Sequence, residues 1–343
     1  MGSKPRGISA SRGAAVLGLS EFQTPFEVFQ RIMEEREPGF NAARGYVLPP
    51  EPDSAAIRWG TAFEDAVVQL AEKKQGFTIG CREDFFSHYC NDFITCHIDG
   101  FYAQPSMKIS HLVLHEGKTT SAFVFREKWG EPGTDRIPRI YQIQAQHQML
   151  CTREQKVIVS VLVFPETPDK WETIGWTICS NEGNGFVLRH KNKSPLCSRP
   201  IDWAEVLCEM GYFHQYFVKA NDTVQQQLVK AYSEFWERYV LTGTPPEPRN
   251  YEDIKRLCPE PKSTIIVPDY IERKIAEYKG INEEGNRSNQ RKERLKTIVT
   301  KYAATHSGIV DDESTEAVIF RNASGDKLGS WSRNKNGSLI FRA

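Results

Sequence analysis

The residue types best suited to chemistry gather in two short stretches, His97-Ile98-Asp99-Gly100 and Leu114-His115-Glu116-Gly117-Lys118. Two carboxylates converging beside a lysine are costly unless a cation sits between the acids. Mg2+ meets that need: it takes oxygen ligands, keeps several waters, and commonly uses one or two carboxylates plus phosphate. An ion held by Asp99 and Glu116 would polarise a phosphate and lower the pKa of a bound water. Lys118 would orient that water or stabilise charge developing on the phosphate. Gly117 leaves its backbone carbonyl open as a further ligand. Taken alone the triplet is common, and an ion pair at a strand edge is its simpler reading.

These residues need elements to hold them. Residues 93–99 and 111–118 read as two strands joined by a turn over 100–110. Alternation puts Thr95, His97 and Asp99 on one face of the first, and Leu112, Leu114, Glu116 and Lys118 together on the second. A helix over 54–75, closed by Gly76, carries Glu64 and repeats Phe63, Val67, Leu70 and Ala71 at helical spacing. A second helix over 139–151 places Tyr141, Gln144 and Gln148 on one face, with Gln142 and Gln146 turned elsewhere. Residues 9–18 read as a turn feeding a helix, with Ser9 and Ser11 as candidate caps. A helix over 25–37 and a Pro/Gly-rich loop over 38–52 follow. Residues 156–164 form a β-branched run expected in a buried strand, with 172–179 as its partner. Two helices, 203–219 and 223–241, end at Gly243-Thr244-Pro245-Pro246, a Pro-rich stop expected to mark a domain boundary. That division leaves residues 1–245 as one domain. Residues 246–343 form an extension with a long polar helix over 269–306 and a short β tail. The basic residues of that helix, Arg287, Arg291, Lys292, Arg294, Lys296 and Lys301, would contact a nucleic-acid backbone or a partner, or simply be solvated. The element order indicates a mixed α/β (α+β) fold, a central mixed sheet flanked by helices.

Composition excludes more than it selects. The 343 residues are 39% hydrophobic and 26% charged, which is globular and neither disordered nor membrane-embedded. No apolar run is long enough to cross a bilayer, and the N-terminus has no secretory h-region, so a cytoplasmic protein is expected. The 8 cysteines contain no C-x-x-C pair, which fits reduced thiols better than a zinc or iron–sulfur site. Lys+Arg and Asp+Glu both total 44, so charge balance points to no partner and function must be argued from a site.

Five motifs, in order, resemble the phage lambda exonuclease/YqaJ viral recombinase family. They are Ile8-Ser9-Ala10-Ser11 with Leu17-Gly18-Leu19-Ser20, Arg58-Trp59-Gly60-Thr61-Ala62-Phe63-Glu64, His97-Ile98-Asp99-Gly100, Leu114-His115-Glu116-Gly117-Lys118-Thr119, and Tyr141 through Met149. The resemblance spans roughly residues 6–245 by this matching. It implies a PD-(D/E)xK restriction-endonuclease-like core and Mg2+-dependent digestion of linear double-stranded DNA from 5′ ends, with Mn2+ as a substitute. It further implies 3′ single-stranded tails for a single-strand annealing partner, and a homotrimer ring that threads the DNA. By position, Asp99 and Glu116 would be metal ligands, aided by the Gly117 carbonyl and Glu64, and Lys118 the catalytic lysine. Ser11, His97 and Gln144 fall at the family's 5′-phosphate pocket. Tyr141 joins them, and the family's remaining cation would be drawn from Lys4, Arg6 or Arg12. The bland readings stand beside these: Ser11 as a helix cap, Glu64 as a solvated acid, His97 as a strand histidine or partner of Asp99. A structure-specific endonuclease or resolvase of the same fold would share the acids and lysine, and a non-catalytic DNA-binding scaffold is the remaining alternative.

Overall fold

The computed structural model describes residues 7–103, 112–180, 185–192, 197–258, 263–283, 289–306, 317–334, 336 and 338–343. Lys4, Arg6, Arg287 and most of the expected turn over 100–110 lie outside them. The chain divides into two compact units, Met1–Ser20 with Pro50–Glu234, and Glu21–Pro49 with Phe235–Ala343. The Pro-rich stop near residue 245 suggested a later boundary, and no local signal marks residues 21–49 as partners of the C-terminal segment.

The first unit holds strands β1 (Ile8–Ser9), β2 (Thr78–Gly80), β3 (Phe85–Ser87), β4 (Ile94–His97), β5 (Gly100–Ala103), β6 (Val113–Ser121), β7 (Lys156–Phe164), β8 (Trp176–Ser180), β9 (Phe186–His190), β10 (Cys197–Ser198) and β11 (Phe213–Lys219). Its central sheet is five-stranded and mixed, in the order β11-β7-β6-β5-β2. Strands β6 and β7 run parallel, with Glu116 beside Val159 and Lys118 beside Val161. A parallel pair needs a long crossover. The connection includes helix Arg139–Thr152, as the 139–151 periodicity predicts, and it stops at Arg153 in the left-handed conformation, φ 63. Strand β7 is apolar and buried along nearly its whole length, as a strand covered on both faces must be.

Helix Ala55–Gln75 covers the opposite face of β6. Ser54 caps its start by accepting from the Ile57 N–H, and Gly76, at φ 71, ends it. Trp59, Phe63, Ala66, Val67 and Leu70 are buried at helical spacing. Trp59 and Phe63 stack 6.0 Å apart and both meet Phe164 of β7 edge-on. Truncating one such aromatic would cost about 3–5 kcal/mol.

Several expectations change. The strand expected over 93–99 ends at His97, and residues 100–103, expected as turn, form β5. Strand β4 does not pair with β6 but lies between β1 and β3 in a small separate sheet. The segment expected to pair with β7 instead forms helix Pro168–Thr173 and then β8, whose partner is β9. The true neighbour of β7 is β11, antiparallel, which was expected as the end of a helix. That helix stops at Glu209 because Gly211 takes φ 82, and the aromatic and β-branched run after it prefers a strand.

In the second unit, strands β12 (Ser263–Ile266), β13 (Ala317–Arg321), β14 (Lys327–Arg333) and β15 (Leu339–Arg342) form a sheet in sequence order. Two helices, Asp269–Glu283 and Asn289–His306, replace the single expected one. They are not simply solvated: Ile271, Ile275, Tyr278, Leu295, Val299 and Ala303 join Trp331, Phe320 and Phe341 in a core. Three of the expected cations are paired within this unit, Arg291 with Glu277, Lys296 with Glu293 and Lys301 with Glu247. Among the described residues no helix is long and apolar enough to cross a membrane.

Candidate active site

Strand β6 is the spine of the site. Glu116 is 2% exposed, and both of its oxygens are engaged. Oε1 accepts from Lys118 Nζ and, at 2.6 Å, from Gln144 Nε2, while Oε2 accepts from Gln148 Nε2. The two glutamines stand one turn apart on helix Arg139–Thr152, so the face predicted from spacing is the face that meets Glu116. Tyr141 completes it, with the Lys118 ammonium 5.2 Å from its ring centre. Gln142 and Gln146 turn elsewhere, to the carbonyls of Asp135 and Lys219. Burial, and then the nearby charge of Asp99, pushes the Glu116 carboxyl up to about 7 against the pull of Lys118. Burial opposes the charge on Lys118, but Glu116 and Asp99 outweigh it and hold the ammonium above its usual range.

Asp99 arrives from the connector between β4 and β5, not from a strand face. Its Oδ2 accepts the Gly117 N–H at 2.7 Å, which ties it to the E-x-K strand. The following Gly100 has φ 144, and a side chain there would press on the Gly80 carbonyl oxygen at 2.9 Å, so only glycine lets the chain turn away here. Glu64 comes from helix Ala55–Gln75. It is half-buried, and its carboxyl is pushed up by burial first and by Asp99 second, with Arg82 opposing. Glu116 and Glu64 therefore both feel the field of Asp99. Among the described residues no three His, Cys, Asp or Glu side chains close around a single point. The available donors are hard oxygens: Glu116 from β6, Asp99 from the connector before β5, the Gly117 carbonyl and the flanking Glu64, with Asp99 raising both glutamates and Lys118 and Arg82 only partly opposing it. That chemistry fits a divalent cation that keeps most of its water.

The residues expected around a terminal phosphate are distributed differently. Gln144 donates to Glu116. His97 is exposed, and its Nδ1 lies 3.1 Å from the Glu83 carbonyl oxygen with Phe85 beside its ring. Ser11 is exposed in the turn Ala10–Arg12, its Oγ 3.1 Å from Ser9 Oγ, and that turn rests on β4 and helix Arg139–Thr152. Arg12 donates to the Gly7 carbonyl at 3.3 Å. Ser11 caps nothing by a side-chain bond; Ser9, in the N-cap position, makes none either.

Three residues escaped the sequence reading of the site. Gln148 was on the correct face but had no assigned role. His115 is buried with neither ring nitrogen bonded among the described residues, and burial pushes it down to about 4, so it is neutral. Arg82 stands in the turn between β2 and β3. Its Nη1 donates to Asp65 at 2.6 Å, and its Nη2 lies 3.7 Å from Glu64. The flanking Cys81 and Glu83 both adopt left-handed backbone, φ 54 and 60, at a cost of about 1–2 kcal/mol each. The turn is zipped to the segment before Asp99: Glu83 N–H donates to the Ile98 carbonyl at 2.9 Å, and Ile98 N–H to the Asp84 carbonyl at 3.2 Å.

Comparison with known proteins agrees with the motif resemblance. Residues 2–155 match the model described as the YqaJ-like viral recombinase domain. The uncharacterized protein YqaJ of Bacillus subtilis (strain 168) is 25% identical over 243 residues, which cover 70% of this chain. The chain spans 56% of that relative's length. Among solved structures, the alkaline exonuclease LHK-Exo from Laribacter hongkongensis is 13% identical with a TM-score of 0.44, covering 69% of this chain and 90% of that one. A phage related exonuclease from Haemophilus somnus 129PT is 14% identical with a TM-score of 0.38, covering 69% of this chain and 96% of that one.

Proposed function

We propose that the protein is a Mg2+-dependent exonuclease that degrades one strand of linear double-stranded DNA in the 5′-to-3′ direction, on a PD-(D/E)xK-type core. The observation that carries this reading is the convergence of Asp99 and Glu116 beside Lys118, within a domain of the viral recombinase family. Asp99 and Glu116 would hold the ion, with the Gly117 carbonyl as a third oxygen and Glu64 as a flanking acid. When bound, the ion supplies an activated water and a Lewis acid for the phosphate. Gln144 and Gln148 hold the Glu116 carboxylate in one orientation, the service that outer-shell donors give to metal ligands. Lys118 places its ammonium where negative charge grows on the phosphate as the water oxygen bonds to phosphorus and the P–O3′ bond breaks. The released 3′ oxygen takes up a proton and leaves a mononucleotide with a 5′ phosphate.

The five motifs support the finer parts of the reading: 5′ ends as entry points, 3′ tails handed to an annealing protein, and a homotrimer ring for processivity. Linear duplex, covalently closed circles and nicked circles incubated with Mg2+ or with EDTA test it together. Loss of linear DNA alone, and only with Mg2+, is expected. Nicking of closed circles would point to an endonuclease, and intact linear DNA in Mg2+ would overturn the assignment. Sedimentation as a monomer at working concentration would remove the ring.

A further inference from the structure

Arg82 belongs to none of the five motifs, yet it is the best-braced cation beside Glu64 and Asp99. Its turn keeps two non-glycine residues, Cys81 and Glu83, in left-handed backbone, a strained state that survives only where surrounding contacts enforce it. The enforcing contacts are the paired hydrogen bonds between residues 83–84 and Ile98, and the His97 ring on the Glu83 carbonyl. Together they fix the Arg82 stem over Gly100, where its Cγ lies 3.5 Å from the position a glycine Cβ would occupy. The guanidinium then hydrogen-bonds through one nitrogen, to Asp65, and pairs through the other Nη with Glu64 at 3.7 Å, longer than a hydrogen bond. Its side chain is about one-third exposed, so a ligand in solution can reach it.

We propose that Arg82 is a phosphate-binding residue, gripping a backbone phosphate of the nucleic acid beside Glu64. The inference rests on the nuclease reading for the identity of the ligand, and adds to it a contact held by a strained turn. A planar fork with five N–H donors, one of them given to Asp65, matches phosphate oxygens in a way a lysine does not. Asp65 serves as the anchor that keeps the fork extended while the DNA is absent. His97 then acts at a distance from the phosphate, by latching the turn that carries Arg82.

Binding of a short fluorescent duplex, measured by anisotropy with Ca2+ in place of Mg2+ over a salt series, tests this. Arg82→Ala should raise Kd about tenfold and flatten the slope of log K against log salt by about one. Arg82→Lys should restore the slope but only part of the affinity. Arg82→Gln keeps the stem over Gly100 and decides by the same criteria if the alanine variant is unfolded. Calorimetric titration of each DNA-free variant with Mn2+ should show an affinity no weaker than that of the native chain. An unchanged Kd and slope would overturn the proposal. So would a parallel fall in Mn2+ and DNA affinity, which would make Arg82 a support for Glu64 alone. Failure of the nuclease reading shows separately, as a native chain that binds duplex but leaves it intact in Mg2+.

Discussion

Replacing Lys118 by methionine keeps the length of the side chain and removes its charge, and the consequence depends on pH in a calculable way. In the native chain the ammonium lies on Glu116, itself 2% exposed and pushed up to about 7. Below that pH the folded chain holds Glu116 protonated with or without the lysine, so the variant should match native stability within about 1 kcal/mol. Above it, native Glu116 ionises against Lys118, whereas in the variant the carboxyl has lost its cation, rises further, and keeps its proton. Each further pH unit then costs the variant about 1.4 kcal/mol relative to the native protein, reaching about 3 kcal/mol near pH 9. Urea unfolding at pH 6, 7.5 and 9, followed by tryptophan fluorescence, measures this difference directly. Digestion of linear duplex in Mg2+ should fall by about 100- to 1,000-fold at every pH, the usual loss when one transition-state donor is removed. A stability difference that is flat with pH would refute the ion pair as the cause. Native-rate digestion would refute the catalytic role of the lysine.

Gln148→Leu removes the donor to Glu116 Oε2, and should lower Mg2+ affinity or activity by about 10- to 100-fold with little loss of fold. Titration in buffers of different ionisation heats checks it by comparing metal affinities. The same titrations on the native chain should show proton release on Mn2+ binding near pH 6, because Glu116 is raised and must lose its proton to become a ligand. The release should vanish near pH 8.5, and a constant proton count across that range would contradict it. His97→Ala breaks the latch on Glu83 and should cost about 1 kcal/mol of stability. Its preference for 5′-phosphorylated over 5′-hydroxyl duplex should stay that of the native chain; a collapse of that preference would return His97 to the phosphate pocket.

Local patterning carried the parts of the site that sit within one element. Glu116 and Lys118 are two residues apart on β6, and Tyr141, Gln144 and Gln148 are linked by helical spacing, so their common faces could be read directly. The helix bearing Glu64 announced itself through Ser54, Gly76 and its apolar stripe. What escaped was long-range. Asp99 reaches Gly117 from a connector, and no period encodes that approach. Strand β11 was misread as helix because Gly211 carries no local mark of the left-handed stop it makes, and the run after it shows its strand only once paired with β7. Arg82 had no motif at all: its place depends on a turn whose residues, Cys81 and Glu83, give no sign in composition of adopting left-handed backbone.

The division of the chain has a practical consequence for anyone wishing to isolate the unit that carries the candidate site. Stopping translation after Glu234 would retain residues 21–49, whose helix Pro25–Arg36 buries Phe26, Phe29 and Ile32. It would also delete what that segment relies on: Arg256 for Glu27, Asp253 for the Thr24 hydroxyl, and the Trp236 ring under Arg36. Such a fragment would display a bare greasy helix and precipitate or be captured by chaperones. Excising residues 21–49 as well, and bridging Ser20 to Pro50 with a short flexible linker, removes both strands of the dependency. Gene-level shuffling faces the same arithmetic, since three cuts, and not one, separate these units.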